Sequence, residues 1–258
     1  MGYLRALTAI LFLATAVLVG GTACEDDGTG AVGPSPVRTG GQITAPVHSK
    51  FDMTSDAGFF DAPAPSVQMR AADGSIRDDL YPEPDTNALV QDYLDAADAS
   101  TDGFPTAAAV YLPFEDAINS TRLPATPAES QSESATAYLV NVDSASARYG
   151  ERLAVDVVWQ AAATDTTPAN LLTLTPAAGS SMEAGAIYAA VVLSEVGGAD
   201  DRGLSPSLNL ATMRDGGVPT GAYGEVNAEI FENLWAYAED FGVDADGIAA
   251  ATVFPTAP

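Results

Sequence analysis

The chain has 258 residues, 47% hydrophobic and 17% charged, with 35 Asp and Glu against 10 Lys and Arg for a net charge of −25. That is apolar material enough for one packed domain behind a leader, or for two small domains. A field this negative repels phosphate polyanions and acidic lipid headgroups, so it excludes nucleic-acid binding and charge-driven attachment to an anionic membrane.

The acidity itself reads as solubility and mutual repulsion between molecules, with divalent-cation binding or a saline habitat as the other readings. Residues 1–23 have the make-up of a secretory signal. Arg5 supplies the positive start, residues 6–19 are apolar, and Gly20, Gly21, Thr22 and Ala23 are small. The apolar run is shorter than the ~20 residues of a spanning helix, which disfavours a retained anchor helix. Cys24 is the only cysteine and cannot form an internal disulfide. The stretch GTAC resembles the lipobox of bacterial lipoproteins, although Gly21 stands where a leucine is usual. That resemblance implies removal of the leader and attachment of a diacylglycerol to the Cys24 thiol, and two acyl chains hold a membrane stably. The expected location is therefore the cell envelope, at the outer membrane or cell surface, with the membrane as a partner through the lipid.

Residues 24–50 read as a flexible tether, acidic and rich in Gly, Pro and Thr, with His48, the only histidine, as a solvated linker residue near its end. The folded part is expected over 51–258. Its first stretch has turns at Asp73-Gly74 and at 82–84 and reads as short extended pieces. Asp85 or Thr86 can cap a short amphipathic helix carrying Leu89, Val90, Tyr93 and Leu94. Strands are expected at 109–114, 136–142, 153–159, 170–175 and 186–193, each rich in β-branched and aromatic residues. In LAVDVVW, Leu153, Val155, Val157 and Trp159 share one face. Short strands with no helices between them predict an antiparallel sandwich. A long helix is expected over 223–241, with Val226, Ile230, Leu234 and Phe241 on one stripe, Phe231, Trp235 and Ala238 widening it, and Gly242 closing it. A last strand is expected at 248–254.

Chemistry is sparse. The G-x-S-x-G elbow of serine hydrolases is absent, and its nearest approach, GSSMEAG at 179–185, falls in a turn. His48, placed in the tether, is no base for a triad. One histidine and one cysteine do not make the usual zinc sets, and phosphate-loop and dinucleotide motifs are absent. With 35 carboxylates, some acid/base pair always looks suitable, so none is singled out. Three acidic loops could interest calcium: Asp98, Ser100 and Asp102; Asp200 and Asp201; and Asp240, Asp244 and Asp246. None has the EF-hand spacing, and Asp and Gly favour turns in any case. Asp246 could instead cap a helix or strand entry. No metal, cofactor or catalytic residue is assigned. Asn119-Ser120-Thr121 is a formal glycosylation sequon without meaning in a bacterial lipoprotein.

The order of motifs resembles the N-terminal domain of bacterial extracellular lipases of the virulence-factor type. The resemblance is carried by FFDAPAPSVQMRAADGSIRDDLYPEP (59–84), DGFPTAAAVYLPF (102–114), YLVNVDSAS, LLTLTPAAGSSMEAGAIYAAVVL, a Gly-Leu-Ser-Pro loop and AAATVFPT (249–256). The stretch 174–203 is also similar to bacterial Ig-like modules, with 183–188 as the turn before a strand. The resemblance covers 51–258. It implies an Ig-like β-sandwich with helical additions that stands before an α/β-hydrolase domain, whose catalytic serine, histidine and acid have no counterpart here. The leading expectation is a non-catalytic envelope lipoprotein whose Ig-like module engages or supports a partner. The alternatives are a lipase N-terminal domain assisting a separate hydrolase, and a calcium- or glycan-binding module.

Overall fold

A computed structural model describes residues 45–71, 75–80, 92, 95 and 103–258. The strands are β1 (Val47–His48), β2 (Val110–Pro113), β3 (Ala137–Asn141), β4 (Arg152–Leu153), β5 (Val155–Gln160), β6 (Leu171–Pro176), β7 (Ile187–Leu193), β8 (Leu204–Ser205) and β9 (Ile248–Pro255). Two antiparallel sheets have the orders β2-β6-β5 and β4-β3-β7-β9, and β1 pairs with β8 in a short parallel ribbon. In Ig nomenclature these sheets are B-E-D and C′-C-F-G, and an isolated bridge from Ala64 to Tyr111 lies where strand A would join. The fold is thus mainly β, an Ig-like antiparallel sandwich with added helices; the short runs predict the sandwich, and the resemblance implies its Ig-like form.

The alternation has a physical cause on each strand. In β5, Val155 is buried, Val157 and Trp159 pack against the inter-sheet core, and Asp156 and Val158 face solvent. Between β4 and β5 the chain changes sheets across the single residue Ala154, and the Val155 amide donates to Ser130 Oγ at 3.0 Å. The inter-sheet core holds Leu112, Leu139, Leu172, Leu174, Tyr188 and Phe254. A second core lies on the other face of the four-stranded sheet. There Tyr138, Val140, Ala189, Val191, Ala251 and Val253 meet the helices. Burial on both faces explains why β7 and β9 read as nearly unbroken apolar runs, IYAAVVL and IAAATVFP. Each large side chain so buried contributes roughly 1.5–3 kcal/mol.

The helices that lie wholly among the described residues are α1 (Pro127–Ser130), α2 (Leu208–Arg214) and α3 (Gly224–Phe241). Both α2 and α3 belong to residues 194–247, which lie between the adjacent strands β7 and β9. Short helix α1 has Thr126 as cap and Pro127 in its first turn, and Ser207 Oγ caps α2. At the other end of α3, Gly242 takes the left-handed conformation (φ 66°), and the Val243 amide returns to Ala238 O at 2.8 Å. The buried face of α3 is Asn227, Phe231, Leu234, Tyr237 and Ala238, a run near i, i+4, i+7 and i+11. This corrects the expected stripe: Val226 is 41% and Phe241 50% exposed, and Trp235 is half-buried.

The packed chain also begins earlier than residue 51. Val47 is 1% exposed and pairs with Leu204, and Ser49 Oγ donates to Ala249 O at 3.2 Å. The tether boundary at 50 therefore falls too late. Small and polar neighbours hide the one apolar side chain that docks, Val47. The helix expected from Asp85 lies outside the described residues except for Asp92 and Asp95, which are helical. Among the described residues, no helix is long and apolar enough to cross a membrane.

Candidate ligand cleft

Where the C-terminal end of α3 passes the β4 edge of the C′-C-F-G sheet, a cleft of about 810 Å³ opens. Strand β3 supplies Tyr138 and β4 supplies Arg152. The end of α3 supplies Tyr237 and Phe241, the segment after α1 supplies Glu133, and the residue after Ser194 supplies Glu195. Tyr138 points away from the inter-sheet core because it alternates with Ala137 and Leu139, which face it.

Tyr138 is wholly buried, and its hydroxyl makes no hydrogen bond of normal geometry, with Tyr237 and Arg152 the polar side chains beside it. The Arg152 guanidinium lies 3.7 Å from the Tyr138 ring centroid and donates to Ser132 O. The Arg152 carbonyl in turn accepts from Gln131 Nε2 at 3.1 Å. Burial, and then the neighbouring Tyr237, push the Tyr138 hydroxyl well above the ordinary tyrosine range.

Beside the cleft, Tyr149, Tyr237 and Phe241 form an aromatic group, with ring centroids 5.3 Å (Tyr149–Phe241) and 5.0 Å (Tyr237–Phe241) apart. Tyr149 Oη donates to Asp240 Oδ2 at 2.9 Å. Partial burial and the Asp240 carboxylate push the Tyr149 hydroxyl up to about 12. Glu151 is bound to Arg148 at 2.7 Å, which holds its carboxyl below the usual carboxylate range. Among the described residues, the side chains of Glu133 and Glu195 have no hydrogen-bond or ion-pair partner. The arrangement can therefore bind, offering free acceptors, a guanidinium and an exposed ring around a buried hydroxyl.

The residues singled out from the sequence lie elsewhere or do other work. Cys24 and the loop of Asp98, Ser100 and Asp102 lie outside the described residues. His48 is no solvated linker residue: it is half-buried, and its Nδ1 lies 2.9 Å from Pro206 O because the β1–β8 ribbon draws it in. Asp200 and Asp201 both take the left-handed backbone (φ 58° and 59°) within a 3-10 turn, a region Asp tolerates better than most residues. Asp244 Oδ1 caps the turn Ala245–Gly247 by accepting from the Asp246 amide at 3.1 Å. Asp246 itself pairs with Arg214 at 3.2 Å. So the cap is Asp244, two residues before the one expected. Among the described residues, no three His, Cys, Asp or Glu are grouped to hold a metal ion. Asn119 Oδ1 accepts from the Thr121 amide and hydroxyl, so the sequon is a turn cap. The segment GSSMEAG lies in the turn between β6 and β7, where Glu183 Oε2 accepts from Ser146 Oγ at 2.5 Å.

Sequence reasoning missed Tyr138, Arg152 and Tyr237. The available signal was a polar-tipped aromatic on the outer face of a strand otherwise apolar, TAYLVNV.

No protein-family model matches the chain, and no curated protein matches it. Two solved structures do: a crystal structure of the S-layer protein rSbsC(31-844), and a structure of surface layer protein SbsC, domains 1-6. Each is 12% identical, with a TM-score of 0.21. The match covers 41% of this chain and spans 13% of the length of the solved one. At that TM-score the likeness carries no argument about fold or function.

Proposed function

We propose that this protein is an exported lipoprotein of the cell envelope, anchored through Cys24, whose Ig-like domain is a non-catalytic binding module. The observation that carries the binding role is the cleft at the end of α3, with the buried Tyr138 hydroxyl, which makes no hydrogen bond of normal geometry, at its floor. A buried polar group without a partner costs about 1–3 kcal/mol, and a ligand that satisfies it recovers that cost. The cleft lies on a framework of two packed cores, so its walls are held in place before a ligand arrives. The resemblance to lipase N-terminal domains supports a second form of the same role, in which the bound partner is a separate α/β-hydrolase.

The anchor and the cleft are tested separately. Cys24→Ser should abolish lipid attachment and leave the leader uncut; unchanged lipid labelling and processing sinks the anchor. For the cleft, a photo-crosslinking residue is placed at Glu133 or Phe241, and at the solvent-facing Asp156 of β5 as control. Adducts in native membranes should form from the first two positions. Adducts at Asp156 alone reject the cleft as the binding surface.

A further inference from the structure

We propose that the cleft takes an organic cation with two or more ammonium or guanidinium groups spaced along a flexible chain; this rests on the binding role proposed above and names its ligand class. The inference comes from an excess of carboxylates that the protein does not itself answer.

The cleft is lined by Glu133, Glu151, Glu195 and Asp244 against one cationic side chain, Arg152. Glu151 is taken by Arg148 at 2.7 Å. Arg152 does not serve the other three: its guanidinium lies 3.7 Å from the Tyr138 ring centroid and donates to Ser132 O. Asp244 Oδ1 accepts from the Asp246 amide at 3.1 Å, which does not cancel its charge. Three such carboxylates on one cleft, in a chain of net charge −25, draw cations and repel anions. The cation is not a bare metal ion. Glu133, Glu195 and Asp244 belong to separate segments, after α1, after β7 and after α3, and among the described residues no three His, Cys, Asp or Glu are grouped to hold one. A ligand that meets all three carries its positive charges apart.

The rest of the lining suits an organic cation. Phe241 is 50% exposed in the cleft, and with Tyr149 and Tyr237 it forms an aromatic group of the kind that attracts ammonium ions. Arg152 on the Tyr138 ring already shows that chemistry with the protein's own guanidinium. The Tyr138 hydroxyl, wholly buried and short of a normal hydrogen bond, offers its oxygen to an ammonium N–H. The volume of about 810 Å³ lies within the range of roughly 300–1,000 Å³ usual for small-ligand sites.

The test is calorimetric titration of the full chain with spermidine and with tetralysine, at low and at high salt, with calcium chloride as control. At least one of the two amines should bind with sub-millimolar affinity at low salt and more weakly at high salt, and calcium should not bind. Tighter binding of spermidine identifies a free polyamine as the source of the cation; tighter binding of tetralysine identifies a basic segment of a partner protein. Glu133→Gln with Glu195→Gln should weaken binding roughly tenfold. Asp156→Asn with Asp165→Asn removes the same charge outside the cleft and should change binding by no more than about twofold. All four of these side chains are exposed, so the fold is kept. Tyr138→Phe and Phe241→Ala should each weaken binding roughly fivefold. Equal losses in the two charge-removing pairs, binding undiminished in both aromatic variants, or binding of calcium with both amines silent each overturn the proposal. Silent amines together with cleft crosslinking at Phe241 reject the ligand class alone; silence in both experiments rejects the binding role as well.

Discussion

The Phe241 ring fills the space that a side chain on Gly150 would need: a Cβ built there would lie 2.0 Å from the Phe241 Cζ. Gly150 also has φ 79°, a conformation open to glycine at little cost. The turn before β4 and the last residue of α3 are therefore joined by the absence of one carbon.

Gly150→Ala should destabilise the domain by roughly 1–3 kcal/mol through backbone strain and overpacking. Part of that loss should vanish in the double variant with Phe241→Ala, since the ring is then gone. Urea denaturation of the four proteins closes the cycle, and strictly additive losses would show that the ring contact is unimportant.

Truncations along α3 should rank by the observed face. Phe231→Ala, at a fully buried site, should cost roughly 3–5 kcal/mol. Trp235→Ala should cost less despite the larger side chain, because Trp235 is only half-buried, and Val226→Ala should cost least. Chemical denaturation gives the order; a Val226 loss equal to that at Phe231 would mean that the helix packs on its other face.

Alkaline pH should expose the two perturbed tyrosines. Both Tyr138 and Tyr149 are raised above the ordinary value of about 10, so in the folded state they hold their protons longer than in the unfolded chain. Their contribution to stability is complete below about pH 10 and is lost as pH rises through their folded values. Ultraviolet titration of phenolate should show late-ionising tyrosines whose titration merges with the ordinary group on unfolding. Tyr138→Phe should remove one of them. A single ordinary step in the native protein contradicts the assignment.

The described domain should not react as a serine hydrolase. Ser180 lies in a turn, its amide bonded to Ala177 O at 2.8 Å, and His48 is bound at Pro206 O. A fluorophosphonate probe should leave the protein unlabelled; stoichiometric labelling would overturn the non-catalytic reading.

Much of the sandwich was legible because β-strands with one solvent face alternate. LAVDVVW places Val155 and Val157 inward and Asp156 outward, and the expected strand limits lie within a residue or two of those observed. The position of α3 was legible from its period and from Gly242. Its face was not, because polar Asn227 and Tyr237 are part of what it buries. Helix α2 escaped notice because its seven residues bury only Leu210 and Met213, too few for a period to show. The cleft was illegible for a different reason. Tyr138, Arg152, Glu195 and Tyr237 are distant in sequence and meet only after the sheet has formed and α3 has crossed it.

Residues 194–247 separate two strands, β7 and β9, that pair directly with each other. A nascent chain that has made β7 therefore holds one open strand edge through the synthesis of both helices. During that interval the edge is a template for another chain. The thermodynamic penalty for so long a detour is small, since each doubling of a loop costs only about 0.6 kcal/mol. The kinetic exposure is the larger burden, and β9 ends it by burying Ile248 through Phe254 in one closing step. The same detour carries the cover of the second core, so a shorter connection between β7 and β9 would have to replace what Leu210, Met213, Phe231, Leu234 and Tyr237 bury on that face of the sheet.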